Sequence, residues 1–152
     1  MLKGLDPLLT PELLMRLCAM GHGEWVAVVD ANFTADFLSQ GRPVIRLPGN
    51  DLLRVSRAVL SVMPLADDVA QPAAYMQVCG QPQGHRTAAQ QALQDHLVKL
   101  GLEPVRIQGV ERFAFYDKIR ASSLIVQSGE ATAYGNALFC KGVILNAAAD
   151  FL

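Results

Sequence analysis

Apolar positions recur along the chain in two alternating rhythms. Leu13, Leu14, Leu17 and Met20 stand three or four residues apart, the spacing of one helix face. Thr10 before Pro11 pairs an N-cap residue with the one favoured at the first helical position, and Glu12 suits the positive end of the helix dipole. Gly21 reads as the residue just past the helix end. Directly after it, Trp25-Val26-Ala27-Val28-Val29-Asp30 is a nearly continuous apolar run of strand length, the pattern of a strand covered on both faces.

The alternation continues. Residues 43–47 predict a second strand. Asn50 reads as the cap of a helix carrying Leu52, Leu53, Val55, Val59, Leu60 and Met63, which Pro64 stops. Residues 74–79 predict a third strand. Thr87 caps a helix with Ala88, Ala92, Leu93, Leu97 and Leu100, closed by Gly101. Residues 104–107 read as a short strand, 111–121 as a short helix and 124–127 as another strand; 137–140 with 143–145 close the pattern. The fold class is therefore α/β, a mostly parallel sheet with helices on both faces. No repeat, low-complexity stretch or linker divides the chain, so residues 1–152 are expected to form a single domain. The tail, 147–152, is left to dock or fray.

Composition sharpens this picture. Charged residues are 18%, below the roughly 25% usual for soluble domains, and mean hydropathy is +0.24. No stretch approaches the ~20 apolar residues of a membrane span. The surplus apolar surface predicts a subunit interface. Thirteen Lys and Arg against fourteen Asp and Glu lack the basic excess that a phosphate backbone demands, which argues against general nucleic-acid binding. Cys18, Cys79 and Cys140 form no C-x-x-C pair and are too few for a disulfide scaffold or a cysteine metal site. At the start, Lys3 is the one early basic residue and Asp6-Pro7 interrupt the apolar run, unlike a signal peptide. A cytoplasmic, reduced setting is expected.

Three clusters could carry chemistry. Asp30 ends a buried-type strand, where open α/β sheets place ligands; it also suits an Asp capping the next turn through Asn32. His22 sits between two glycines that leave its imidazole accessible. A loop histidine is equally read as incidental, and spacing leaves open whether its end of the sheet also holds Asp30. In Glu111-Arg112-Phe113-Ala114-Phe115-Tyr116-Asp117, an arginine beside aromatics suits a polyol. The same residues read as an amphipathic helix with Phe113 and Phe115 partly in the core. In residues 128–136 a plain turn accounts for Gly129 and Glu130 better than for Tyr134-Gly135-Asn136. The dinucleotide, P-loop, nucleophile-elbow and H-E-x-x-H motifs are missing. His85 and His96 lack ligand spacing and read as surface residues.

Taken in order, Met20-Gly21-His22-Gly23, Asp30-Ala31, Arg112-Phe113-Ala114-Phe115-Tyr116, Gly129-Glu130, Tyr134-Gly135-Asn136 and Lys141-Gly142-Val143 resemble the family of L-fucose mutarotases and D-ribose pyranases. Each motif is weak singly; together, from about Leu2 to Ile144, they are specific. The Arg112 block and Tyr134-Gly135-Asn136 look like the fucose branch, since the ribose branch typically has a His-containing segment and Tyr-Ala-Asn there. The resemblance implies an α/β fold, a ring-shaped homo-oligomer (often a decamer), a monosaccharide substrate, and neither metal nor organic cofactor. It implies His22 as the proton-transfer residue. It implies Asp30, Arg112, Tyr134, Gly135 and Asn136 as the sugar site, Tyr134 counting with His22 as catalytic. Fucose-type members often have a His and a Pro after the Asp-Ala pair, where this chain has Asn32 and Thr34. That departure bears on the sugar more than on the reaction.

The implied chemistry suits these residues. An anomeric centre inverts when its hydroxyl loses a proton, the ring oxygen gains one, the carbonyl rotates and the ring recloses. An imidazole, titrating near 6.5 when unperturbed, both gives and takes protons near neutrality. The leading expectation is mutarotation of L-fucose. The alternatives are pyranose–furanose interconversion of D-ribose and a monosaccharide-binding protein without turnover.

Overall fold

The computed structural model describes residues 2–145. The expectation for the tail at 147–152 lies outside them. Five α-helices are described: α1 (Pro11–Ala19), α2 (Ala35–Ser39), α3 (Leu52–Leu60), α4 (Ala88–Lys99) and α5 (Arg112–Ala121). Six strands form one sheet: β1 (Trp25–Val29), β2 (Val44–Leu47), β3 (Ala73–Met76), β4 (Ile107–Val110), β5 (Leu124–Ser128) and β6 (Ala137–Cys140). Their spatial order is β2-β5-β1-β6-β3-β4.

Only β6 runs against its neighbours, β1 and β3. Its connection explains why. A crossover to a parallel strand takes about a dozen residues or more, and the link from β5, residues 129–136, is shorter. The chain turns back across the end of β1 and enters the sheet reversed.

The apolar strands are explained by burial on both faces. Val26 and Val28 pack with Leu13 and Leu17 of α1, Val55 and Val59 of α3, and Leu93 and Leu97 of α4. Ala27 and Val29 point the other way, into a second core with Leu38 of α2 and Phe115 and Ile119 of α5. Helix starts follow local chemistry. Thr10 Oγ1 accepts the Leu13 N–H at 3.2 Å, and Thr87 with Gln90 makes a complete capping box on α4.

Several boundaries differ from the sequence reading. Asp51, not Asn50, caps α3, its carboxylate accepting the Arg54 N–H at 2.7 Å. The Asn50 amide turns back to the Leu47 and Pro48 carbonyls instead. Residues 104–106 are a 3-10 turn started by Pro104, and the strand begins at Ile107. The third strand stops at Met76, where its ladder with β4 ends opposite Val110; the pairing with β6 ends one residue earlier, at Tyr75. Helix α2, five residues ended by left-handed Gln40, is too short to show periodicity. Gly21 lies beyond the end of α1 without a left-handed backbone; the exit is made by Met20 in extended conformation. Residues 143–145 add no strand, and Lys141 makes a single bridge to Leu65.

Candidate active site

The link from β5 to β6 lays Tyr134 and Asn136 over the carboxyl end of β1, where Asp30 follows the strand. The Asp30 N–H donates to Asn136 Oδ1, and Asn136 Nδ2 donates to Asp30 Oδ2, both at 2.9 Å. Asp30 Oδ1 accepts the Asn32 N–H at 3.0 Å. Asp30 therefore caps its turn and faces the site at once. The pair is almost fully buried, with 6% and 2% exposure. Burial pushes the Asp30 carboxyl above its ordinary value of 3.8; hydrogen bonds from Asn136 and the Asn32 amide oppose this, and the charge of Glu130 adds to it.

Around this pair lies a cavity of about 370 Å³. Arg112 opens its rim from the first turn of α5, which Glu111 caps by accepting the Phe113 and Ala114 N–H groups. Arg112 Nε donates to Tyr116 Oη at 2.9 Å, and its guanidinium lies 5.5 Å from that ring's centre. Phe33 meets Tyr116 edge-on at 5.7 Å. The helix is amphipathic as read, but with a correction: Phe115 is wholly buried, while Phe113, expected partly in the core, is 68% exposed because it faces outward from the first turn of α5. Met76 and Ala133 complete the apolar wall, and Asn32 and Thr34 stand on the polar side.

Tyr134 holds a left-handed backbone, φ +63°, unusual for a residue with a side chain. Gly135 beside it has no room for more: a Cβ would stand 2.5 Å from Glu130 Cγ. Glu130 is buried, and burial alone would raise its pKa. Hydrogen bonds from Thr132, with the Leu52 amide beyond, prevail and hold it below the usual range. The Cys79 thiol beside Tyr134, with burial second, pushes the phenol up, so it keeps its proton at neutral pH.

His22 is elsewhere. It precedes β1, whereas Asp30 follows it. At about 3.3 Å per residue the strand separates them by roughly 16 Å, too far for both to touch one small ligand within one chain. Its loop is nonetheless built with care. Lys141 Nζ donates to the Leu17 and Met20 carbonyls at the end of α1, and the Gly23 N–H donates to the Lys141 carbonyl. His22 Nε2 pairs with Asp68 Oδ1 at 3.0 Å, and that bond holds Asp68 below the ordinary carboxylate range.

The structure thus gathers Asp30, Arg112, Tyr134 and Asn136 about one cavity, with Gly135 packed behind, and leaves His22 apart. Asp68 escaped the sequence reading because a loop carboxylate has no periodicity to mark it. Phe33, Met76 and Ala133 were equally unmarked. Among the described residues, no three His, Cys, Asp or Glu side chains gather to hold a metal ion, and no helix is long and apolar enough to cross a membrane.

A small cavity with a carboxylate, an amide, a guanidinium and phenols, at the carboxyl edge of a mostly parallel sheet, defines an α/β protein with a small-molecule site. The chain belongs to the RbsD / FucU transport protein family, whose model matches residues 3–144. It is 36% identical over 146 residues to the fucose mutarotase of Bos taurus, covering 94% of each chain. FucU from Bifidobacterium longum superposes with a TM-score of 0.85 at 34% identity, over 94% of this chain and all of that one. A fucose mutarotase from Streptococcus pneumoniae, solved in complex with L-fucose, gives 0.85 at 26% identity, over 95% of this chain and all of that one.

Proposed function

We propose that this chain is a mutarotase interconverting the α and β anomers of L-fucose by opening and reclosing the ring. The observation that carries the reading is the convergence of Asp30, Arg112, Tyr134 and Asn136 on one monosaccharide-sized cavity, in a chain whose relatives bear that name. Asp30 and Asn136 offer acceptors to sugar hydroxyls. Arg112 supplies donors and, always protonated, takes no proton itself. Tyr134, keeping its proton, donates or accepts as a hydroxyl. The Phe33–Tyr116 edge covers the apolar side of the ring.

Proton transfer falls to His22. With Nε2–H donated to Asp68, its Nδ1 lone pair is free to take the anomeric proton, and the imidazolium returns a proton to the ring oxygen. A neighbouring subunit brings His22 to the pocket, because one chain keeps the two apart. The exposed Phe37, Val105 and Phe113, at 76%, 73% and 68%, are apolar surface fit for such assembly. The family resemblance implies a ring, often of ten subunits. On this reading the chain works in the cytoplasm, where the unpaired Cys18, Cys79 and Cys140 stay reduced.

Saturation-difference NMR at anomeric equilibrium, with fucose and ribose in one sugar panel, tests the reaction. It registers exchange between anomers although no net product forms. Exchange for fucose is expected; binding without exchange for any sugar would reduce the protein to a sugar carrier.

Arg112→Ala is expected to weaken fucose binding about ten- to a hundredfold, the loss of charge-assisted hydrogen bonds, with a smaller effect on turnover. An unchanged apparent affinity would remove Arg112 from the site. The acid limb of fucose binding is expected above 3.8, the ordinary aspartate value, because burial raises Asp30 and its carboxylate is lost as pH falls through that raised value. The stability sign is the reverse. Asp30's contribution is full below 3.8 and declines as pH rises through the folded value. Titration calorimetry across acid pH measures the first, and an acid limb at or below 3.8 contradicts it.

A further inference from the structure

The buried amide of Gln90 belongs to neither the sheet nor the cavity wall, yet its every hydrogen-bonding group is used. Its Oε1 accepts the Thr87 N–H at 3.0 Å, which closes the capping box of α4. Its two amide protons go elsewhere: Nε2 donates to the Met76 carbonyl and to the Tyr134 carbonyl, each at 2.7 Å. Met76 and Tyr134 both line the cavity. The circuit closes through backbone: the Met76 N–H donates to the Asn136 carbonyl, and the Asn136 N–H to the Tyr134 carbonyl.

We infer that Gln90 is a positioning residue that holds Tyr134 in its left-handed backbone and so sets the Tyr134–Asn136 edge of the sugar site. The inference rests on the functional reading above for the word sugar, and on geometry alone for the rest. A capping box is satisfied by Glu as well as by Gln. Two carbonyls 2.7 Å from Nε2 are not: an ionised Glu would set an acceptor against two acceptors. The choice of amide over acid at this position is therefore made by the site and not by the helix.

Gln90→Glu separates the two roles, since it keeps the helix cap and the side-chain size. Thr87→Ala does the converse, weakening the cap and leaving both donated bonds. For Gln90→Glu, KM for fucose is expected to rise about tenfold, with kcat changed less, because binding contacts move while His22 does not. Lowering the pH should recover part of the loss, as a protonated Glu donates one hydrogen bond. Thr87→Ala should lower thermal stability and leave KM unchanged. An unchanged KM in Gln90→Glu, or an equal rise in Thr87→Ala, overturns the inference.

Amide hydrogen exchange provides a readout independent of any sugar. Gln90→Glu is expected to lose protection at Gly135 and Asn136 while α4 keeps its own. Unchanged protection in the turn overturns the inference whether or not the wild type binds fucose. If the wild type exchanges no sugar at all, the functional reading fails and the amide measurement still decides the role of Gln90.

Discussion

His22→Ala is expected to slow catalysed fucose anomer exchange by about 10²–10⁴-fold, the usual contribution of a positioned general acid–base group. The uncatalysed reaction already proceeds in water, so a loss of this size returns the rate to background. Fucose affinity should change little, because the polar groups around the cavity come from Asp30, Arg112, Tyr134 and Asn136 and remain in place. The fold should also survive: His22 is exposed in a loop whose anchors are Lys141, Gly23 and Glu24. NMR exchange rates measure the activity of the variant, and circular dichroism measures its fold. Wild-type exchange with an unchanged spectrum would strip His22 of its role. Asp68→Asn should cost less, since it weakens the orientation of the imidazole without removing it.

Recovered activity in a mixture of two impaired proteins is the second large effect expected. If the pocket of one subunit receives His22 from its neighbour, His22→Ala and Arg112→Ala chains damage different halves of each site. Unfolded together and refolded, random assembly makes about a quarter of the sites from two intact halves. Fucose held well below the KM of the Arg112→Ala protein keeps that parent about ten- to a hundredfold slower than the wild type. The mixture should then exchange anomers about two- to twenty-fivefold faster than the Arg112→Ala parent, and faster still than the His22→Ala parent, and light scattering should give a multiple of 16.4 kDa. A particle of 16.4 kDa would end the shared-site reading. A large particle with no recovery would leave assembly standing but return His22 to a role outside this pocket.

The separation of His22 from the pocket shows where sequence reading reaches its limit. Helices α1, α4 and α5 and strands β1 and β5 were legible because their signals are local. Thr10-Pro11 and Thr87 mark starts, three-to-four spacing marks a buried face, and a β-branched run marks a strand covered on both sides. Where a local signal was shared by neighbours, it misled by a residue or two. Asn50 and Asp51 are both cap formers, and only the path of the chain sends one to Arg54 and the other back to Leu47. The five-residue α2 carries too few turns for any period to appear.

The candidate site followed the same division. His22, Asp30, Arg112, Tyr134, Gly135 and Asn136 were named as a set by the family resemblance that the ordered motifs carry; residue types alone marked them as candidates with plain structural alternatives. Their distances are not written in the chain. Asp30 and Asn136 stand 106 residues apart and meet only because β6 enters the sheet reversed. His22 and Asp30, eight residues apart in sequence, are driven to opposite edges because β1 lies extended between them. Gln90 lies in the first turn of the helix that Thr87 was read to cap, and neither of its roles was marked in the sequence. The two carbonyls it holds belong to Met76 and Tyr134, brought to one amide by the packing of α4 against the sheet. Residue chemistry and local periodicity act over a few positions and are present in the sequence; contacts between distant segments exist only once strand order and direction are set, and that is decided by the tertiary fold.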